Sequence, residues 1–442
     1  MSTTELTDVR YSTILKVSAP TVISSLTASI MSILDAIILA KYSTIAMTGA
    51  ASASAWCHAF QCSTIALVFI TGALVGHYNG ACKYKFAGVP VWQMIWFSLS
   101  LFAISVPLSQ IVAPYCVPKN LYEYGIPYLK IVMGFSPIFC IKVAISSFLV
   151  SIGKGFIVSI SSFIAIIVNI ILDIFLIFYC DYGTTGAAIG TIMAGFAELI
   201  FLSSFFFKGS IRRKYGTLNC KLRFKRLCSY LKLGAFSSLG HVFESIVYSS
   251  IYYILASSST DKALTQTIVI NLWALLICVV AGLEKGVLSI TANLLGAKLR
   301  DRINTLFKRS LIIHFLNALL LLGFILIFTD AIISNYVDIN TINPELHQHL
   351  INVFKIAWLC FLFDGIVWIE AGILEAGGDM NYMMITIASC LAIFVAFPIF
   401  FVMNTENISV EMIWGLCTVS TAASVLALFR RYKSNKWIKI KV

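Results

Sequence analysis

The chain alternates long, continuous apolar stretches with short polar breaks. Twelve of these stretches reach the roughly 20 residues that an α-helix needs to cross a bilayer. Their approximate bounds are 14–38, 46–76, 91–117, 126–151, 156–180, 184–207, 229–257, 263–292, 304–328, 349–375, 381–403 and 410–430. Because hydrocarbon offers no hydrogen-bond partners, each stretch must satisfy its own backbone as a helix. The pattern predicts an all-α integral membrane protein with twelve transmembrane helices, and not a barrel, whose strands alternate apolar with polar residues.

The composition supports this class. Of 442 residues, 59% are hydrophobic and 12% are charged, about half the charged share of soluble proteins, which excludes a water-soluble enzyme. The polar start MSTTELTDVRYST lacks a basic leader and a clear cleavage site, so we expect no cleaved signal. The twelve cysteines lie mostly in apolar stretches and include no CxxC pair. Cys57, His58 and Cys62 lie at helical spacing and could hold a soft metal, but no second ligand pair follows, so we expect neither a metal site nor a cofactor.

Basic residues are concentrated in two segments that follow even-numbered predicted helices. The segment 208–226, KGSIRRKYGTLNCKLRFKR, carries eight basic and no acidic residues, and the tail from Arg430 carries six basic residues. Acidic residues collect after odd-numbered helices, at Asp330, Asp338, Glu345, Glu406 and Glu411. The positive-inside rule therefore predicts that both termini are cytoplasmic. The net charge of +12 mostly records this asymmetry, and we expect lipid contact but no nucleic-acid partner.

The two halves of the chain resemble each other. NGACKYK at 79–85 follows the second predicted helix as LGAKLRD at 295–301 follows the eighth. LVSIGKG at 149–155 and LEAGGDM at 374–380 likewise follow the fourth and the tenth. The repeat predicts two pseudo-symmetric six-helix bundles in one orientation, an architecture of transporters. The expected division is an N-terminal lobe (1–207), a basic cytoplasmic linker (208–228), a C-terminal lobe (229–430) and a basic cytoplasmic tail (431–442).

Acidic residues also occur inside the predicted spans, where lipid disfavours them. They are Asp35, Asp173, Glu198, Glu244, Asp364 and Glu370. A carboxylate near the bilayer centre costs about 2.5 to 3.5 kcal/mol on insertion scales, so these side chains must face protein or water. Some could pair with a lysine in a predicted span, such as Lys142. Others could bind a proton or a metal cation, and such a change of charge is what ion coupling requires.

The fifth and first predicted helices carry the strongest signals of ion binding. Asn169 and Asp173 are four residues apart and share a helix face, where amide and carboxylate oxygens could hold H⁺ or Na⁺. The same residue types can also cap or bend a helix. In the first helix, Pro20 removes a backbone donor and is expected to act as a hinge, with Asp35 near the opposite end.

The seventh predicted helix carries a polar and aromatic stripe of His241, Glu244 and Tyr248. A carboxylate beside an aromatic face suits an organic cation, although an aromatic stripe can also serve packing alone. In the tenth helix Asp364 and Glu370 are six residues apart and so lie on different faces. We favour Asp364 for the cavity, and predict substrate binding by His241, Glu244, Tyr248 and Asp364.

Three stretches carry a resemblance to a known family. They are LDAIILAKYSTIAMTGAA (34–51), NIILDIF (169–175) and GTTGAAIGT (183–191). They resemble the multidrug and toxic compound extrusion (MATE) family of the MOP flippase superfamily, and the likeness extends from Pro20 to Trp437. The resemblance implies that Asp35, Asn169, Asp173 and Thr191 form the N-terminal-lobe cation site of DinF-like members. It also implies that Pro20 lies where those members kink the first helix.

The C-terminal half matches a second branch of the family. Glu244 and Asp364 correspond to the acids that serve the C-terminal-lobe cation site of NorM-like members. The chain departs from the family pattern at Ile174, where a proline is usual, at GAF (234–236), where GLP is usual, and at Lys142 within the fourth helix. Acids of both branches are present, so the resemblance leaves open which lobe couples the ion.

The family likeness implies a secondary antiporter that exports an organic, cationic small molecule in exchange for H⁺ or Na⁺ by alternating access. It implies no enzymatic activity, and the phosphate-binding pattern GxxxxGK[ST] is absent. We expect a monomer in a bacterial-type inner membrane. One alternative is a lipid-linked oligosaccharide flippase of the same superfamily, with Lys142 binding the pyrophosphate. An intramembrane aspartyl protease is disfavoured because its YD and GxGD signatures are missing.

Overall fold

The structure is a computed structural model that describes residues 3–334, 343–402 and 408–440, and these residues form helices without any strand. Twelve long helices, numbered in chain order, correspond one to one with the predicted spans. They are α1 (Tyr11–Tyr42), α2 (Thr44–Gly80), α3 (Gly88–Cys116), α4 (Tyr122–Gly134 and Pro137–Ser151), α5 (Phe156–Ile174), α6 (Gly183–Phe206), α7 (Phe224–Ser258), α8 (Thr260–Gly296), α9 (Asp301–Ser334), α10 (Pro344–Gly377), α11 (Met380–Leu391) and α12 (Val410–Lys433).

These helices are built to cross a membrane. In the described ranges, ten helices are long and apolar enough to span a bilayer, and the two segments of α4, bent by 41°, form an eleventh span. The twelfth is α7, whose 35 residues pack along α2 and α11. The predicted fold class, an all-α membrane protein with twelve transmembrane helices, is confirmed.

The helices differ from the predicted spans mainly at their ends. Most extend several residues past the apolar stretch, because hydropathy marks only the hydrocarbon layer whereas polar residues continue the helix outside it. After Ile174 the backbone of α5 continues as a π-helical segment, Phe175–Tyr179. Helix α1 runs unbroken through Pro20, whose carbonyl accepts a hydrogen bond from Ser159 Oγ at 3.0 Å. The hinge role of Pro20 stays a prediction.

The helices pack as two bundles related by a shift of six helices. In the first, α1 packs on α5, α5 on α6, α2 on α4, and α4 on α6; in the second, α7 packs on α11, α11 on α12, α8 on α10, and α10 on α12. The contacts between bundles obey the same relation, because α1 packs on α8 and α2 on α7. The internal repeat of the sequence therefore appears as a pseudo-symmetric pair of six-helix bundles. The residue boundaries of the two lobes remain a prediction.

The bundles are sealed together at one end, which we call the basic end because the basic segment 208–226 and the tail lie there. At this end Asn79 Nδ2 donates to Asn293 Oδ1 at 2.7 Å, and Asn293 Nδ2 donates to the Ser151 carbonyl at 3.0 Å. The glycines of the repeated motif allow the close approach. A Cβ on Gly80 would overlap the Asn293 carbonyl, and one on Gly296 would overlap the backbone of α2.

The C-terminal tail folds back onto the basic end. Asp379, fully buried between α10 and α11, pairs with Arg431 at 2.6 Å and with Lys439 at 2.5 Å. Trp437 is 1% exposed and packs on Gly377, where a larger residue would clash. The tail is thus an ordered part of the C-terminal bundle, which its basic composition alone did not indicate. Two of the acids used for the charge argument, Asp338 and Glu406, fall outside the described residues.

Candidate ion and substrate sites

In the N-terminal bundle, four predicted residues from three helices come together. Asn169 Nδ2 on α5 donates to Asp173 Oδ2 at 3.3 Å, and Thr191 Oγ1 on α6 donates to Asp35 Oδ2 on α1 at 3.3 Å. Asp35 also lies close to Asp173 and Asn169. Asn169 and Asp173 are fully buried, and Tyr128 is buried close to both aspartates. We call this group the N-site.

The N-site contains more acceptors than donors. One oxygen each of Asp35, Asn169 and Asp173 is buried and has no hydrogen-bond partner among the described residues. Two adjacent carboxylates cannot both stay ionised at low cost in a buried site, and unpaired buried oxygens carry a desolvation penalty. A bound proton or a small oxygen-seeking cation would relieve both costs, so the arrangement can bind a positive charge.

Close packing between α5 and α6 holds the N-site together. Gly190 on α6 faces Asp173, and a Cβ at this position would overlap the Asp173 carboxylate. The Thr191 hydroxyl donates to the Ala187 carbonyl, one turn earlier in α6, at 3.0 Å. This bond fixes the rotamer of Thr191. The sequence GTTGAAIGT thus supplies both the small residue that admits the carboxylate and the hydroxyl that reaches Asp35.

In the C-terminal bundle the predicted substrate residues form a second polar group, which we call the C-site. His241 Nδ1 lies 3.2 Å from Glu244 Oε2 on α7. Asp364 on α10 lies near Glu244 and accepts a hydrogen bond from Trp368 Nε1 at 3.0 Å. Tyr248 lies near both acids and is 48% exposed. The C-site therefore combines two carboxylates with accessible aromatic surface.

Two other acids in the spans have separate surroundings. Glu198 accepts from Lys142 Nζ at 2.9 Å and from the hydroxyls of Ser161 and Ser162, each at 3.2 Å. Glu198 is therefore an ion-paired acid. Glu370 is 1% exposed, and neither of its carboxylate oxygens has a partner in the described part of the chain. Asp364 and Glu370 therefore have different surroundings, and the choice of Asp364 for substrate binding stays a prediction.

A cavity lies between the two bundles, where the transporter architecture predicts a ligand site, but sequence reasoning did not assign its lining residues. It has a volume of about 180 Å³ and is lined by residues of both bundles, including Lys142, Glu198 and Lys285. Lys285 on α8 belongs to the C-terminal bundle but faces Phe69 of α2, with its ammonium 5.2 Å from the ring centroid. The signal available in the sequence is that Lys285 lies within an apolar span.

Comparison with known proteins agrees with the fold. The MatE family model matches residues 20–175 and again 237–401, one match in each half. The multidrug export protein MepA of Staphylococcus haemolyticus is 22% identical over 365 residues, covering 81% of this chain and 78% of the relative. MepA of Staphylococcus aureus is 23% identical over 367 residues, covering 82% and 80%.

Among solved structures, the outward-facing conformation of a multidrug resistance MATE family transporter of the MOP superfamily is similar over 99% of both chains. The TM-score is 0.86 and the identity is 15%, so this likeness concerns the fold. The same family model matches each half of the chain once, in agreement with the two similar bundles seen in the helix packing. Since that model covers most of both six-helix bundles, the chain belongs to the MATE family.

Proposed function

We propose that this protein is a multidrug efflux transporter that exchanges H⁺ or Na⁺ for an organic cation, and that it is not an enzyme. The observation that carries the proposal is the N-site, where Asp35 and Asp173 are adjacent and three buried oxygens lack partners. The similar MepA proteins, which are multidrug export proteins, support the efflux part.

The N-site supplies the coupling step. Without a bound cation, two neighbouring carboxylates repel each other in a medium of low effective dielectric constant. Binding of H⁺ or Na⁺ removes this repulsion and draws α1 towards α5 and α6, which bear the other ligands. The ion therefore favours one arrangement of α1 over another. If cargo favours the opposite arrangement, the two ligands are coupled reciprocally.

The C-site supplies recognition of the cation. Glu244 and Asp364 attract positive charge, and the accessible ring of Tyr248 can contact an organic cation through its π face. Glu244 and Asp364 also remain candidates for cation coupling. His241, which lies beside Glu244, would weaken cation binding when it is protonated, because it would then neutralise part of the acidic charge.

The membrane orientation follows from the basic end. If the positive-inside rule holds, this end and both termini are cytoplasmic. The conformation with the bundles sealed at the basic end would then be open to the outside. We propose a monomer in a bacterial-type inner membrane, with no metal or organic cofactor beyond the transported ion.

The test measures efflux of ethidium from proteoliposomes that contain the purified protein, with imposed proton and sodium gradients. Efflux should stop when a protonophore and a sodium ionophore are both present. Asp173→Asn should abolish gradient-driven efflux, because it removes one of the two charges that the ion neutralises. Asp301→Asn, at an exposed helix start outside the N-site, is the matched control and should transport normally.

Two results would contradict the proposal. Efflux that continues at the same rate after both gradients are collapsed excludes antiport. Wild-type coupling in Asp173→Asn excludes the N-site as the coupling site. The alternative function, lipid-linked oligosaccharide flipping, needs Lys142 as a free cation, whereas Lys142 is already paired with Glu198, so we place it second.

A further inference from the structure

The cavity between the bundles has the opposite polarity to the N-site and the C-site. Its wall carries two ammonium groups, Lys142 and Lys285, and one carboxylate, Glu198. Lys142 and Glu198 neutralise each other at 2.9 Å, and the Glu198 carboxylate is further saturated by two serine hydroxyls. Among the three charged groups of the wall, Lys285 is therefore the one without an ion-pair partner in the wall. The wall has a net charge of +1 when all three groups are ionised.

Lys285 has no internal compensation comparable to that of Lys142. Within residues 3–334, 343–402 and 408–440, Lys285 forms no ion pair and no hydrogen bond. Its ammonium makes a cation-π contact with the ring of Phe69. Glu284 and Glu375 lie close enough to interact with Lys285 electrostatically, but neither lines the cavity. Ionisable side chains within membrane spans face protein or water and mark functional sites, and Lys285 lines the cavity.

The rest of the wall offers hydrogen-bond donors. Ser25 and Ser147 contribute hydroxyls, and Lys142 retains two N–H groups beyond the one directed to Glu198. Apolar side chains, among them Phe69, Val143 and Leu288, complete the cavity. A few convergent polar groups in an apolar wall are typical of a small-molecule site. Donors and positive charge together match an oxyanion.

We propose that this cavity binds the carboxylate of an organic acid or zwitterion, with Lys285 as the charged anchor and Lys142 held in place by Glu198. The transported molecules then include compounds that carry a carboxylate, and not only cations. The assignment of this ligand as cargo rests on the proposed transport function, whereas the binding itself does not. Lys285 comes from the C-terminal bundle and most of the wall from the N-terminal bundle, so the ligand would contact both halves.

The experiment compares two fluorescent probes that differ only in charge, dansylglycine and dansylglycinamide. Their affinities for the full-length protein are measured in nanodiscs of phosphatidylcholine, without any ion gradient. The wild-type protein should bind the carboxylate about tenfold more tightly than the amide, the effect of one charge-assisted hydrogen bond. Equal affinities in the wild-type protein overturn the proposal without the need for any variant.

Substitutions then locate the charge. Lys285→Met should remove the preference for the carboxylate and leave amide binding unchanged, which also shows that the variant is folded. Lys285→Arg should keep the preference. Lys355→Met, which removes an exposed lysine of α10 outside the cavity, is the matched control and should keep it too. A preference that survives in Lys285→Met overturns the proposal.

A lipid phosphate is the other source of an oxyanion. The measurement is therefore repeated in nanodiscs that also contain phosphatidic acid. If this lipid weakens dansylglycine binding to the wild-type protein and not to Lys285→Met, the site belongs to a lipid headgroup and the cargo assignment is wrong. If phosphatidic acid leaves dansylglycine binding unchanged, the result supports the assignment of the carboxylate compound as cargo. Because no gradient is present, these outcomes are independent of whether the ethidium efflux test succeeds.

Discussion

The ion pair between Lys142 and Glu198 provides a sharp test of how the cavity is built. The two side chains come from α4 and α6, and Glu198 is 6% exposed whereas Lys142 is 23% exposed. Lys142→Met removes the ammonium and leaves a buried carboxylate with two serine donors. Glu198→Gln removes the carboxylate and leaves Lys142 facing Lys285 without a counter-charge. The double substitution removes both charges and nearly preserves the volume.

The expected energies follow from burial. Removing one partner of a fully buried pair costs about 3 to 5 kcal/mol, and the partial exposure of Lys142 reduces this to about 2 to 3 kcal/mol for each single substitution. Glu198→Gln should be the costlier one because two lysines then repel each other. The double variant should lose only about 1 kcal/mol, since no unpaired charge is left behind. The coupling energy is then about 3 to 5 kcal/mol.

The assay is unfolding by sodium dodecyl sulfate in mixed micelles, with the free energy of unfolding measured for the wild-type protein and all three variants. A double-mutant cycle isolates the interaction between the two side chains. Losses that add, with a coupling energy below about 0.5 kcal/mol, would refute the pair as an interacting unit. Lys142 would then be a free cation, and the flippase alternative would regain its main support.

Three further predictions use the same preparations. Gly80→Ala should lower the free energy of unfolding by about 1 to 3 kcal/mol, because its Cβ overlaps the Asn293 carbonyl across the seal; Gly323→Ala, which meets only open space, should not lower it. Trp437→Ala should destabilise the docked tail by about 3 kcal/mol, and trypsin should therefore cleave the tail faster. An unchanged rate of cleavage would mean that the tail is held by its ion pairs alone. Glu244→Gln should weaken ethidium binding about tenfold, and wild-type affinity in equilibrium binding would remove Glu244 from the substrate site.

The candidate sites were only partly visible in the sequence. Asn169 and Asp173 were paired correctly because helical spacing is local and predicts a shared face. Their meeting with Asp35 and Thr191 was expected from the family resemblance, since these residues lie on other helices. Lys285 was missed as a cavity residue because its partners in the wall come from the opposite bundle. Asp379 lies in a short loop, and nothing near it in sequence indicates that Arg431 and Lys439 reach it.

The sequence by itself determined the twelve spans, the all-α class, the repeat of six helices and the presence of acids that lipid must not contact. These follow from local properties, namely the length and hydropathy of each stretch and the helical backbone that hydrocarbon imposes. Only the tertiary structure decided which acids are adjacent and which acid forms an ion pair with a lysine. It also decided where the two bundles meet and that a cavity lined by two lysines lies between the bundles. Those features depend on how helices distant in sequence cross and approach, down to single glycines that set the separation of two backbones, and no local pattern encodes that geometry.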